Sequence, residues 1–216
     1  MLRPIVLLLA IAVLGVGSHA QVPETPAGIA QRLQARYQGI KDFSADFVQS
    51  YRGGVLKTQT RERGTVAVKK PGKMRWIYTQ PERKELVSDG RKIYWYVPED
   101  KQVIVRDAQD DATTSALFLS GKGDIARDFS ATFADAPAPG ALALKLVPRR
   151  AEPEYEHLVV TLDPVSLQMR VLTTRDRQGG ESTLTFTNMK ENRGLSDNDF
   201  VFRTPRGVNI VTDGTR

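Results

Sequence analysis

The sequence predicts a mainly-β protein: one antiparallel sheet, strongly curved or nearly closed, with helix only near its start and middle. From Phe43 onward, apolar residues recur at every second position in most segments. Turn signals separate these segments at short intervals, the clearest being Ser88-Asp89-Gly90. Roughly ten such runs fit the chain, a number that suits one curved sheet. No linker composition and no internal repeat divides them.

The first twenty residues stand apart from the fold. Met1-Leu2-Arg3 is a short basic start, and Ile5 to Val16 is an unbroken run of apolar residues and glycine. Ser18-His19-Ala20 then supplies the small residues that a signal peptidase requires. The run is shorter than the about 20 residues of a membrane-spanning helix. The expectation is a cleaved secretory signal over 1–20 and a single soluble domain over 21–216.

Residues 21–26 read as a flexible lead. Thr25-Pro26 offers an N-cap and a proline at the first helical position. Ile29, Leu33, Tyr37 and Ile40 then form one stripe of an amphipathic helix that ends near Gly39 to Asp42. In the first strand, Phe43, Ala45 and Phe47 alternate with Ser44, Asp46 and Val48 up to a Gly53-Gly54 turn. Further strands are predicted over 65–69, 74–78, 84–87, 92–97 and 103–106. A short helix over 114–121 and a turn over 124–129 interrupt them. Strands resume over 142–147, 157–162, 168–174 and 182–188, and Phe200-Val201-Phe202 reads as the last.

Composition excludes several chemistries. With no cysteine, the chain has no disulfide, no thiolate metal site and no cysteine nucleophile. It also lacks the cysteine that would anchor a bacterial lipoprotein, so a diffusing protein is expected. Arg3 carries the only charge of the leader, so its removal lowers the formal net charge of +6 by one. The basic residues are interspersed and do not alternate with aromatics, so no nucleic-acid partner is expected.

Beyond the leader the single histidine is His157, too few for a zinc site and without a Gly-x-Ser-x-Gly partner for nucleophilic catalysis. Gly121-Lys122-Gly123-Asp124 lacks the spacer and hydroxyl of a phosphate loop. The pairs Asp110-Asp111 and Asp197/Asp199 do not have calcium-loop spacing. No catalytic residue, metal or cofactor is expected, and the protein reads as a non-enzyme. The aromatics are more informative. Trp76, Tyr78, Tyr94, Trp95 and Tyr96 gather in two neighbouring strands, where Met74/Trp76/Tyr78 share one face and Ile93/Trp95/Val97 another. In a tightly closed sheet they fill the core; in a half-open one they line a cavity under the helix.

The blocks Gly64-Thr65-Val66-Ala67-Val68-Lys69-Lys70-Pro71-Gly72-Lys73-Met74-Arg75-Trp76, Tyr78-Thr79-Gln80-Pro81, Leu86-Val87-Ser88-Asp89-Gly90 and Tyr94-Trp95-Tyr96 with Pro98 follow in order at close spacing. This series resembles the periplasmic outer-membrane lipoprotein carrier (LolA) family. Phe43-Ser44-Ala45-Asp46-Phe47-Val48-Gln49 is similar to its first strand, and Asp199-Phe200-Val201-Phe202 with Pro205 and Gly207-Val208 to its closing pattern. The resemblance is strongest over residues 40–106.

It implies an incomplete, half-open antiparallel β-barrel whose helices form a lid over a hydrophobic cavity. The implied function is a periplasmic chaperone that takes acylated lipoproteins from an inner-membrane ABC transporter and delivers them to an outer-membrane receptor. The residues it places on the cavity are Phe43, Phe47, Met74, Trp76, Tyr78, Leu86, Ile93, Trp95, Val97 and Phe118, with Met74 near the entrance. One departure stands out. The family often has arginine before the proline, where it latches the lid; here Lys70 precedes Pro71, and lysine lacks the planar fork. A monomer is expected. The alternatives are a related lipid- or glycolipid-binding module and, with less to support it, a periplasmic hydrolase.

Overall fold

The computed structural model describes residues 24–53, 58–108, 119, 123–153 and 155–212. The expected signal segment, the helix over 114–121 apart from Leu119, and Phe118 lie outside the described residues.

Helix α1 spans Pro26–Gly39 and starts as its sequence dictates: the Thr25 hydroxyl accepts the Gly28 N–H at 3.1 Å, and Pro26 needs no partner for a missing donor. Ile29, Ala30, Leu33 and Tyr37 form its buried stripe. The strands that follow are β1 (Asp42–Arg52), β2 (Gln59–Lys69), β3 (Lys73–Gln80), β4 (Lys84–Asp89), β5 (Lys92–Val97) and β6 (Gln102–Asp107). After the one-turn helix α2 (Ile125–Asp128) come β7 (Phe129–Phe133), β8 (Leu142–Pro148), β9 (His157–Leu162), β10 (Met169–Arg175), β11 (Glu181–Glu191) and β12 (Asn209–Thr212).

All twelve strands belong to one sheet in the order β12-β6-β5-β4-β3-β2-β1-β11-β10-β9-β8-β7. Every neighbouring pair is antiparallel except β12 and β6, which run parallel. Strands β7 and β12 are edges, so the sheet is unclosed. The pairing register builds two apolar rows on the face that α1 covers. One runs Phe43, Val68, Met74, Ser88, Ile93, and the next runs Ala45, Val66, Trp76, Leu86, Trp95.

Three expectations need correction. Phe200-Val201-Phe202 is not a strand. Ser196 and Asp199 form a reciprocal capping box that winds Asp197–Phe200 into a 3-10 turn. Phe200 is then buried and Phe202 stacks on Tyr94 at 5.2 Å, so their alternation serves packing on the outer face of the sheet. The true last strand is β12. The turn expected over 124–129 is α2 running directly into β7, an edge strand whose Phe129, Ala131 and Phe133 face the interior side opposite Pro148, Leu146 and Leu144. It escaped notice because five residues without turn signals on both sides carry little periodicity. The count of strands is therefore twelve.

Gly64 marks the tightest backbone approach. A β-carbon there would lie 1.9 Å from the carbonyl oxygen of Ile77 and 3.0 Å from the Phe47 ring, at the register irregularity between β2 and β3. Only glycine lets the two strands and the phenyl ring meet. Gly64→Ala is expected to destabilise the protein by about 2 kcal/mol or more, the scale of overpacking a core. Denaturant melts check this, and an unchanged midpoint would show that the strands separate freely at this point.

Candidate functional site

The helix-facing side of the sheet is a continuous apolar interior. Phe47 stands at its centre, edge-on to Trp76 at 5.0 Å and to Tyr78 at 5.1 Å, and Tyr78 in turn meets Trp95 at 6.1 Å. The sequence-selected residues fall into two groups. Phe43, Phe47, Met74, Trp76, Tyr78 and Ile93 are buried, whereas Leu86, Trp95 and Val97 are half-buried toward the β5–β6 side. Met74, expected near an entrance, is 4% exposed and lies inside. Lys84 caps the half-buried end: its ammonium lies 4.5 Å above the Tyr78 ring and 5.3 Å from the Trp95 ring while pairing with Glu62. The Tyr78 phenol donates to Gln49 at 3.2 Å, and burial pushes its pKa up.

Half of this interior was absent from the sequence-selected set. Leu144, Leu158, Val160, Leu172, Leu184 and Phe186, from β8 to β11, complete it together with Ile29 and Leu33 of α1. The signal was present in the alternation Leu142-Ala143-Leu144-Lys145-Leu146 and Thr183-Leu184-Thr185-Phe186-Thr187. The family resemblance is weaker in that half.

Two polar clusters fasten α1 over the interior. In the first, the Lys70 ammonium donates to the Tyr37 carbonyl at 2.5 Å and lies 3.4 Å from the centroid of the Tyr37 ring. The carbonyl belongs to the last turn of α1, where free acceptors and the helix dipole favour a cation. The Tyr37 hydroxyl reaches the other way and donates to the Leu119 carbonyl at 2.6 Å. Glu191 lies near Lys70 and is itself paired with Arg36 of α1 at 2.7 Å. Burial lowers the Lys70 pKa to about 8, with Glu191 opposing the shift.

In the second cluster the buried Asp42 carboxylate accepts backbone N–H groups from Arg193, Gly194 and Leu195 at 2.7, 3.0 and 3.3 Å. The Asn192 side chain accepts from Lys41 N–H at 2.8 Å and donates to the Gly39 carbonyl at 3.2 Å. The helix C-terminus, β1 and the chain leaving β11 are thereby tied at one point. Neither Asp42 nor Asn192 carried a sequence motif, because their partners are backbone groups about 150 residues away.

The groups weighed for catalysis stay apart. His157 has a mostly buried ring beside Glu156 at 3.5 Å, and desolvation with Lys145 nearby holds its pKa down. Asp197 pairs with Lys69 at 2.7 Å and Lys73 at 3.0 Å, and Asp199 serves the capping box. Asp110, Asp111, Gly121 and Lys122 lie outside the described residues. Among the described residues no group of three or more acidic or histidine side chains is placed to hold a metal.

An unclosed sheet with an apolar face on which an amphipathic helix packs defines a class of half-open β folds with a coverable interior. The family described as "Outer membrane lipoprotein carrier protein LolA" matches residues 38–203, and the chain belongs to that family. A relative from Chromohalobacter salexigens, named outer-membrane lipoprotein carrier protein, is 29% identical over 205 residues, covering 93% of this chain and 96% of its own. One of the same name from Cupriavidus pinatubonensis is 29% identical over 197 residues, covering 89% and 91%. A crystal structure of an uncharacterized conserved protein from Thermus thermophilus shares the fold at 13% identity, with a TM-score of 0.54 over 85% of this chain and 99% of the other.

The depressed Lys70 pKa sets a sign for pH dependence. Between about 8 and the unfolded value of 10.5, the unfolded chain keeps a proton that the folded protein has lost. Stability from this group therefore rises with pH across that window and is flat below it. Nitrogen NMR of the Lys70 side chain is expected to titrate near pH 8. In Lys70→Arg, which stays charged, the rise should vanish up to about pH 9.5, before tyrosines ionise. Titration at the ordinary lysine value would show that the amine is solvated.

Proposed function

We propose that the protein is a periplasmic carrier that shelters lipoprotein acyl chains between α1 and the aromatic face of the sheet. In this reading it takes its cargo from an inner-membrane ABC transporter and yields it to an outer-membrane receptor. The observation that carries the reading is family membership joined to an apolar interior covered by α1. The lining comprises Phe43, Phe47, Met74, Trp76, Tyr78, Leu86, Ile93, Trp95 and Val97 on the sheet, with Lys70 as the latch.

The energetics suit reversible loading. Lifting Ile29, Leu33 and Tyr37 off the sheet exposes three large side chains, at a cost of about 5–9 kcal/mol. An acyl chain of about a dozen methylenes recovers roughly 10 kcal/mol when it takes their place. One chain thus nearly offsets the cost of lifting the helix, and each further chain of the cargo that enters adds to the gain. The latch consists of a few polar contacts at the helix end, which can break without unfolding the sheet.

Incubation with transporter-bearing membrane vesicles should release a triacylated lipoprotein into the supernatant as a one-to-one complex. Cargo that stays with the pelleted membranes while the transporter is active would refute the reading. The site itself is tested by fluorescence. Trp76 is buried against Phe47 and Trp95 is half-buried, so an entering acyl chain changes the surroundings of at least one indole. Titration with a fatty-acyl ligand should shift or quench emission, and Trp76→Phe and Trp95→Phe assign the signal. Stoichiometric binding by calorimetry with neither indole responding would move the pocket elsewhere.

A further inference from the structure

A cavity of about 450 Å³ lies on the outer face of the sheet near the far end of the β1–β2 hairpin. The register sets Ser50 between Arg61 of β2 and Thr183 of β11, and Arg52 between Gln59 and Glu181. Ser50, three residues from inward-facing Phe47, points outward, and so do its partners. Arg52 and Arg61 are both exposed, and neither guanidinium has a hydrogen bond or ion pair among the described residues. Glu181 is the one carboxylate on the rim, and it lies 4.0 Å from Arg175 on the neighbouring strand. Arg63 follows Arg61 by two positions on the same face and is likewise exposed.

Diagonal neighbours on adjacent strands stand about 7–8 Å apart, a distance at which like charges repel unless something of opposite sign lies between them. Two guanidinium forks that have no partner among the described residues, the hydroxyl-bearing Ser50, Tyr51, Thr60 and Thr183, and the Gln59 amide surround this cavity, with the Glu181 carboxylate on its rim. Guanidinium favours planar, two-point bonding to oxyanions, and hydroxyls and amides supply further donors. A tetrahedral oxyanion with several acceptors uses such a set more fully than a carboxylate does. We propose that the cavity between β2, β1 and β11 is a phosphate-group site in which Arg52 and Arg61 grip the anion and Ser50, Thr183 and Gln59 complete its shell. The group can come from free phosphate or from the headgroup of an anionic phospholipid, and the site is separate from the helix-facing interior.

The test uses the full protein with two probes, sodium phosphate and vesicles of phosphatidylglycerol, with phosphatidylcholine vesicles as the comparison. Arg52→Gln/Arg61→Gln removes the grip. Arg149→Gln/Arg150→Gln, at two exposed arginines of another loop, lowers the net charge equally. Phosphate or phosphatidylglycerol should bind the parent protein and the Arg149/Arg150 variant alike, with rising salt weakening both. The Arg52/Arg61 variant should bind at least about tenfold more weakly, the loss expected from one charge-assisted bond. Binding of free phosphate identifies a soluble ligand; binding of phosphatidylglycerol vesicles alone identifies a lipid headgroup. Equal loss in both variants, indifference between the two lipids without phosphate binding, or no binding to the parent would overturn the site.

Discussion

An open sheet with one apolar face must be covered, and among the described residues the fourteen-residue helix α1, with Leu119 and Ile125 beside it, does so. Because β7 and β12 do not pair, the strands cannot close on themselves and fill their own interior. The burial of Phe47, Trp76 and Met74 therefore depends on Ile29, Leu33 and Tyr37 staying in place. A helix of this length is marginal on its own, so α1 depends on the sheet for its stability. The polar contacts at its C-terminus act on that dependence. They add little energy individually, but they fix where the helix ends relative to β1 and β2.

A lysine at position 70 gives the contact at the end of α1 its character. An arginine fork would reach two acceptors at once, whereas the Lys70 ammonium joins one carbonyl and one aromatic face. Tyr37 supplies what the lysine lacks. Its ring receives the cation, its backbone carbonyl receives the hydrogen bond, and its hydroxyl carries the connection on to Leu119. Loss of the tyrosine side chain would thus cut the cation contact and the Leu119 bond together. Tyr37 was visible in the sequence only as an apolar position of a helical stripe.

Much of the architecture was legible because it rests on short-range pattern. The Thr25-Pro26 cap, the stripe of α1, the Ser88-Asp89-Gly90 hairpin and the inward face of β3 all follow from periods of 3.6 and two. Long-range partners were not legible. Asp42 looks like any acidic residue at a strand start until the chain after β11 returns its N–H groups to it. Phe200 and Phe202 alternate like a strand, yet a capping box that begins at Ser196 winds the chain up to Phe200 into a turn. On the functional side, apolar spacing and the resemblance mark the half of the interior on β1 to β5, whereas the half on β8 to β11 carries the same alternation where the resemblance is weaker.

The two faces of the sheet are covered in different ways, and the difference bears on what can move. On the outer face the segment around the 3-10 turn is held by buried Phe200, by the stacking of Phe202 on Tyr94, and by the Arg75 guanidinium donating to the Val201 carbonyl at 2.9 Å. Asp197 adds ion pairs to Lys69 and Lys73, and β12 then pairs with β6. These contacts brace β2 through β6 without any help from α1. The inner cover has no such bracing: its apolar side chains rest on the sheet, and its fastening is concentrated at the helix end. A sheet braced from behind can keep its register while the helix in front lifts. On the carrier reading, that asymmetry is what permits the interior to open while the strands that line it stay paired.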